Sequence, residues 1–343
     1  MKKNNMLFIS TIICLLLLLP VGALMTACAP ATPTQVFELK LSHHLPPTAP
    51  AAKALDEWTK KLEASTNGGV KFTIYPSESL AKGREAYSAT KGGICDVAFV
   101  NLVYESSKWS LNNVLTLATL PVPTDKRGTE IWNKLWKKYP ETLNEFEGVK
   151  VLSNVVGMTT SIHTKDPVRV PNDIKGMKMA AMGDSLTILQ TAGASPVSMP
   201  AGDWYMSAEK GVIQGCMAPV GVVTDRGIQE VLKNHIDLGI GQGGNIVIIN
   251  LARWNSFPSD IQSKFEKLTS WLNDAVRTAN DQLDAEGWQK CAGQNIVKPT
   301  AAELKLWLAC TEPTGQAWIK ANASKGPSQE IYDYVKKLIE ETK

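Results

Sequence analysis

Glycines, histidines and cysteines are the residues whose types and spacing invite a chemical reading of this chain. Gly239-Ile240-Gly241-Gln242-Gly243-Gly244 has the density of a phosphate-binding loop. Such a loop needs a helix N-terminus behind it to receive phosphate. This one runs into the apolar strand pattern Asn245 to Ile249 instead, which removes the nucleotide reading. Four histidines are few for acid–base chemistry, and no GxSxG elbow, Walker lysine, HExxH pair or glycosidase-like pair of carboxylates stands out, so neither an enzyme nor a cofactor is expected. Cys95, Cys216, Cys291 and Cys310 show no CxxC spacing and no nearby histidine, so no metal site is expected. Cys291 and Cys310, separated by a turn between two helical stretches, could bridge in an oxidising compartment; the other reading is four buried thiols acting as small apolar side chains.

The first stretch of the chain reads as a processing signal. Lys2 and Lys3 are followed by the apolar run Leu7 to Leu19, the breakers Pro20 and Gly22, and Leu24-Met25-Thr26-Ala27-Cys28. That order resembles a bacterial lipoprotein signal (1–28), which implies lipid attachment at Cys28 and a tether over 29–35. Met25 is unusual at its position, so plain secretion and an uncleaved anchor stay open. Beyond Val36 no apolar run approaches the roughly 18 to 20 residues of a membrane span, so an extracytoplasmic body held at a bacterial membrane by its N-terminus is expected.

The elements that must position any site follow from composition and periodicity. The 343 residues are 44% hydrophobic and 20% charged, an ordinary globular balance for one large or two medium domains. Two of the 36 basic residues precede Cys28 and no acid does, so the remainder is close to neutral and gives no reason to expect nucleic acid. Phe37, Leu39 and Leu41 alternate as a strand; Ala51, Leu55, Trp58 and Leu62 recur as a helix; Val70 to Ile74 and Asp96 to Val100 are further strands around a helix over 82–91. This β-α-β-α-β order predicts a parallel sheet covered by helices on both faces. The second half repeats the grammar: strands over 150–156, 177–181, 196–199 and 212–217, helices from an N-cap at Asp184, over 202–210 and over 224–232, then two strands over 235–240 and 245–250. Ser259 and Gln262, at capping-box spacing, open a helix to about Cys291 with Ile261, Phe265, Leu268, Leu272, Ala275, Ala279 and Leu283 on one face. At about 45 Å it is longer than a small lobe is wide, and it is expected to brace two lobes.

A series of segments then carries a family resemblance. Ile74-Tyr75-Pro76-Ser77, Lys91-Gly92-Gly93-Ile94-Cys95-Asp96-Val97-Ala98-Phe99, Pro171-Asn172-Asp173-Ile174-Lys175-Gly176-Met177-Lys178, Ala192-Gly193-Ala194-Ser195-Pro196-Val197, Gly211-Val212-Ile213-Gln214-Gly215 and Asn250-Leu251-Ala252-Arg253-Trp254-Asn255-Ser256-Phe257-Pro258 stand in one order over most of the chain. In that order they resemble the substrate-binding subunits of tripartite ATP-independent periplasmic (TRAP) transporters, of the dicarboxylate-binding type. The resemblance implies an α/β, two-lobe periplasmic-binding-protein-like fold with a hinge, closing on a small molecule delivered to a membrane permease. Lobe I is expected over 36–157 plus about 245–285, and lobe II over 158–244 plus about 286–343.

The departures from that pattern shape the expected site. Where the family places an arginine on the ligand carboxylate, after Lys-Gly-Met-Lys, this chain has Ala180, and two other polar positions read Thr159 and Ala218. A carboxylate buried without a cation is costly, so a neutral or weakly polar ligand is expected and simple C4-dicarboxylates are expected to bind poorly. His44, Glu85, Asn101, Tyr104, Thr159, Thr160, Ala180, Trp204, Ala218 and Gln242 are the matching pocket positions. His44 and Trp204 have plain structural alternatives as a strand-end residue and a core residue, and Glu85 as a solvated helix acid. The competing reading is an ordinary organic-acid binder using Arg84 or Arg169; an anchored non-transport lipoprotein is the other.

Overall fold

The computed structural model describes residues 35–342, and the chain from Phe37 onward forms one compact unit. Nine strands, β1 (Phe37–His43), β2 (Val70–Tyr75), β3 (Val97–Asn101), β4 (Val149–Thr164), β5 (Lys178–Ala181), β6 (Ser195–Ser198), β7 (Gly215–Ala218), β8 (Asn234–Asn250) and β9 (Asn295–Val297), join in the order β2-β1-β3-β8-β4-β7-β5-β6, with β9 also on β8. The described residues hold eleven α-helices: α1 (Pro50–Ser65), α2 (Ala86–Lys91), α3 (Lys126–Lys138), α4 (Ser185–Thr191), α5 (Trp204–Glu209), α6 (Val220–Asp225), α7 (Leu251–Asn255), α8 (Ser259–Lys290), α9 (Ala301–Ala309), α10 (Glu312–Asn322) and α11 (Ser328–Glu341).

β4 and β8 create the two lobes. Val149 to Val156 of β4 pair with Asn250 back to Gly244 of β8, and that half of β8 also pairs with β3. Ile162 to Thr164 of β4 pair with Ile236 back to Asn234, and this half of β4 also pairs with β7. Between the halves the register shifts repeatedly over 156–162. Gly239 and Gly241 sit there at φ +61 and +66, backbone that side-chain-bearing residues rarely adopt. Each half has a core on both faces of its sheet. Ile246 and Ile248 pack with Trp109 and Trp132 on one face of the first lobe, while Val247 and Ile249 pack with Trp58 and Phe265 on the other. That two-sided burial is why Asn245 to Asn250 reads as an unbroken apolar run.

The sheet is mixed, where the β-α-β order predicts a parallel one. Helix-linked neighbours are parallel, as in β1–β2 and β5–β6, but β4 carries the chain out of the first lobe and β8 brings it back, so those two lie antiparallel to each other and to β3 and β7. The two strands expected over 235–250 are the single strand β8, because Ile240 and Gln242, set between the glycines that interrupt its alternation, stay paired to β4. The helix expected over 224–232 is the shorter α6, stopped by Gly227 at φ +70, and a 3-10 turn over Ile228–Glu230. Asp184 does not cap α4 with its side chain, and the capping box at Ser259 and Gln262 does not form: Pro258 is the N-cap and Gln262 Nε2 bonds the Trp254 carbonyl instead.

Helix α8, 32 residues or about 48 Å long, packs against α1 in the first lobe and α6 in the second, as a brace should. Its buried residues include Ile261, Phe265, Leu272, Val276, Ala279, Leu283 and Gly287; the buried stripe passes through Val276 where Ala275 was expected. Gly221 and Gly287 meet where α6 crosses α8, a Cβ on Gly287 falling 2.9 Å from the Gly221 nitrogen. The chain's end differs from the expected division: Trp318, Ile331, Val335 and Leu338 pack into the first lobe's core with Trp109 and Trp132, while Trp307 stays with the second lobe. Cys95, Cys216, Cys291 and Cys310 are free and buried. Burial raises all four thiols, Cys291 to about 11.

Candidate functional site

A cavity of about 130 Å³ lies between the lobes, against the hinge segments of β4 and β8. The first lobe contributes His44, Phe99, Asn101 and Tyr104 from the ends of β1 and β3; the second contributes Met182, Trp204, Met217 and Ala218; the brace adds Asn280 and Leu283. Strand ends gather here because the sheet's crossover from one lobe to the other leaves a crevice, the usual binding place in α/β folds.

The expected site residues divide. His44, Asn101, Tyr104, Thr160, Trp204, Ala218 and Gln242 line the cavity. The His44 ring packs on Tyr104 and Phe99, with centroids at 4.8 and 5.7 Å. Burial, and then the nearby charge of Arg226, lowers His44 to about 3, so its imidazole is neutral at pH 7. Asn101 Oδ1 accepts the Val103 N–H, and Trp204 Nε1 donates to the Met199 carbonyl from a fully buried position. Thr160 Oγ1 donates to the Ile240 carbonyl, and Gln242 Nε2 donates to the carbonyls of Leu115 and Leu120 at 2.9 and 2.8 Å, so both hold the hinge together. Ala218 is backed by a buried pair: His163 Nε2 lies 3.1 Å from the Ala218 carbonyl, and its Nδ1 lies 2.8 Å from His235 Nδ1.

Three expected residues do not line this cavity. Thr159 neighbours Thr160 on a strand, so its side chain turns away and lines two other pockets, one of about 790 Å³ beside Pro121 and Arg127 and one of about 70 Å³ beside Asn280. Ala180 is fully buried in the core with Trp204 and Cys216. Glu85 is exposed on the surface. Neither alternative arginine reaches in. Arg169 is held outside by Glu303 through contacts of 2.7 and 3.0 Å, and Arg84 is exposed, its Nη2 3.4 Å from Ser198 Oγ of the other lobe.

The cation that does line the cavity is Arg226, at the C-terminal end of α6, beside Asp225. The premise that the site lacks a cation therefore fails: the charge arrives from a different element than position 180. The signal in the sequence is small, a charged pair between the apolar run Val220 to Val223 and the helix-stopping Gly227. Asp184 also lines the cavity; its carboxylate accepts the Ala118 N–H at 2.8 Å, and burial raises it to about 6. Among the described residues no group of three or more His, Cys, Asp or Glu side chains could hold a metal ion, and no helix is long and apolar enough to cross a membrane.

Two α/β lobes joined by crossing strands around an interlobe cavity define a two-lobe binding protein. The chain belongs to the bacterial extracellular solute-binding proteins of family 7 (DctP), whose model matches residues 41–321. It is 23% identical over 299 residues to the C4-dicarboxylate-binding periplasmic protein DctP of Rhodobacter capsulatus, covering 84% of this chain and 88% of that one. Its fold is similar to a TRAP solute-binding protein from Rhodoferax ferrireducens solved with copurified benzoate, at TM-score 0.81 and 21% identity over 89% of this chain and 98% of that one. A TRAP solute-binding protein from Chromohalobacter salexigens with bound D-glucuronate gives TM-score 0.79 and 19% identity over 88% and 99%. The chain is thus an extracellular solute-binding protein of that family, with the fold of the TRAP solute-binding proteins.

Proposed function

We propose that the solute is a small organic acid with a compact apolar body, held by its carboxylate on Arg226 and handed to a TRAP permease in the membrane. The observation that carries this reading is that Arg226 is the one Lys or Arg side chain among the described residues lining an otherwise mostly apolar cavity. A guanidinium presents a planar fork to a carboxylate, and its charge-assisted bonds strengthen where water is excluded. The expectation of a neutral ligand gives way to this reading, because it rested on the missing arginine at position 180. Its companion stays: a C4-dicarboxylate brings two charges to one guanidinium that already faces Asp225. The bound benzoate of the Rhodoferax ferrireducens protein supports an acid with an aromatic body. Cavities of about 150 Å³ accept benzene, close to the space available here.

Calorimetry with benzoate and succinate tests the reading. Benzoate is expected to bind and succinate at least tenfold more weakly, with Arg226→Gln weakening benzoate tenfold or more, as loss of a charge-assisted hydrogen bond implies. Unchanged benzoate affinity in the variant refutes the anchor.

The lipid anchor falls on Cys28, outside the described residues, and the basic, apolar, small-residue-cysteine order supports it. Cys28→Ser is expected to move the protein from the membrane fraction to the soluble periplasm; equal retention of the variant argues for an uncleaved anchor. The moving units we infer are lobe I over 36–157 plus about 245–285 and lobe II over 158–244 plus about 286–311, with the chain's last helices riding on lobe I.

A further inference from the structure

Asp225 and Arg226 lie side by side at the end of α6, and both line the cavity. Their side chains are only 10% and 15% exposed, yet Asp225 Oδ2 and Arg226 Nη1 stand 3.5 Å apart, too long for a close charge-assisted bond. Among the described residues the guanidinium's one other hydrogen bond is a 3.5 Å approach of Nη1 to the Val222 carbonyl. Among the described residues no hydrogen bond to the Asp225 carboxylate forms beyond that 3.5 Å approach of Arg226. A shielded ion pair is tolerable when its remaining protons and lone pairs are bonded, and here the two groups line the cavity with only these long contacts to the protein, so a solute in the cavity can supply the rest.

An unsubstituted carboxylate meets only half of that need. It satisfies Arg226 and places a second anion beside Asp225. A ligand with a carboxylate and an adjacent cationic donor meets both halves with the correct signs. The two protein groups are one residue apart, so the ligand's two groups must also be neighbours, as they are around a single α-carbon. Phe99, Met158, Trp204 and Leu283 leave an apolar space for the rest of the molecule.

Resting on the reading of Arg226 as the carboxylate anchor, we propose that the solute is a 2-amino acid with an apolar side chain, its carboxylate on Arg226 and its ammonium on Asp225. A 2-hydroxy acid, which offers a neutral donor, ranks second, and the unsubstituted acid third.

The test is calorimetry on the purified full-length chain with phenylalanine, leucine and methionine, and with 3-phenyllactate and 3-phenylpropanoate as analogues of the first. At least one amino acid is expected to bind; for phenylalanine the expected order is amino acid over hydroxy acid by about tenfold and over the unsubstituted acid by about a hundredfold, each about one charge-assisted bond. Asp225→Asn, folded by circular dichroism, should erase most of the preference while leaving 3-phenylpropanoate bound as well as or better than before. Failure of all three amino acids, equal binding of phenylalanine and 3-phenylpropanoate, or a preference that survives Asp225→Asn overturns the proposal. If 3-phenylpropanoate binds and Arg226→Gln removes it, the acid-receptor reading survives that failure; if no acid binds, or the arginine variant changes nothing, both fall.

Discussion

Ala180 lies between β6 and β7, fully buried with Trp204, Cys216 and Ala218. An arginine there enters a packed core, not the cavity. Ala180→Arg, which the sequence pattern alone presents as restoring a carboxylate clamp, is therefore expected to destabilise the fold by on the order of 3–5 kcal/mol, the cost of an uncompensated buried charge. Chemical denaturation checks it: a variant as stable as the parent and newly able to bind succinate contradicts the placement. Arg226 has the opposite character. It reaches the cavity from a helix end, next to a residue of opposite charge, so the same residue type has different consequences at two positions of one lobe.

At the level of elements, the crossing of α6 and α8 aims that arginine. A Cβ on Gly221 falls 2.6 Å from Leu283 Cγ and 2.8 Å from the Leu283 carbonyl oxygen, while one on Gly202 meets nothing within 4 Å. Backbone cannot move aside as a side-chain tip can. Gly221→Ala is expected to cost about 1–3 kcal/mol and to weaken solute binding as α6 is pushed out, with Gly202→Ala near neutral on both; thermal melts and titrations of the two variants compare them directly. Asp284 on α8 reports on the same crossing. Burial, then the charge of Asp237, raises its carboxyl from 3.8 to about 6, and the Gly221 N–H bonds to it. Its ionised form therefore costs the folded state stability above pH 6, a cost that disappears as the pH falls toward 4. Asp284→Asn should melt higher than the parent at pH 8 and match it near pH 4; an equal difference at both pH values excludes this origin.

Across the whole molecule the lobes meet over the cavity. Arg84 reaches across to Ser198 of the other lobe, and Gly183, at φ +59, lies where an added Cβ would stand 3.2 Å from Val103. These contacts bridge the two lobes, and a solute touching both should favour the bridged arrangement over an open one by its differential affinity for the two. Small-angle scattering is expected to show compaction when a saturating acid is added. Gly183→Val should bind more weakly and stay extended with solute present, because its side chain occupies the closing contact and its backbone is strained for a β-branched residue. A valine variant that compacts and binds like the parent would show that this contact does not limit closure.

The segments that carry the family resemblance turn out to be scaffold. Asp96 accepts the Lys40 N–H at 2.8 Å and binds Arg253 Nε at 2.8 Å, tying β1 and β3 to the start of α7, and Asp173 takes the N–H groups of Arg169 and Val170. Such residues satisfy their bonds within or between neighbouring elements, so residue type and spacing along the chain already express them. Local periodicity did the same for α1 and α8, whose apolar spacing is their buried face. What the sequence by itself determined was therefore the α/β two-lobe plan, the brace and the class of protein. Only the tertiary structure decided which side chains share the cavity. Thr159 and Thr160 are separated by the alternation of a strand whose register shifts at the hinge, Ala180 by one layer of core, and Arg226 enters from a helix whose end is set by Gly227 and whose position is set by Gly287 of a helix some sixty residues away. Cavity membership depends on those distant packings, and no local pattern in the chain records them.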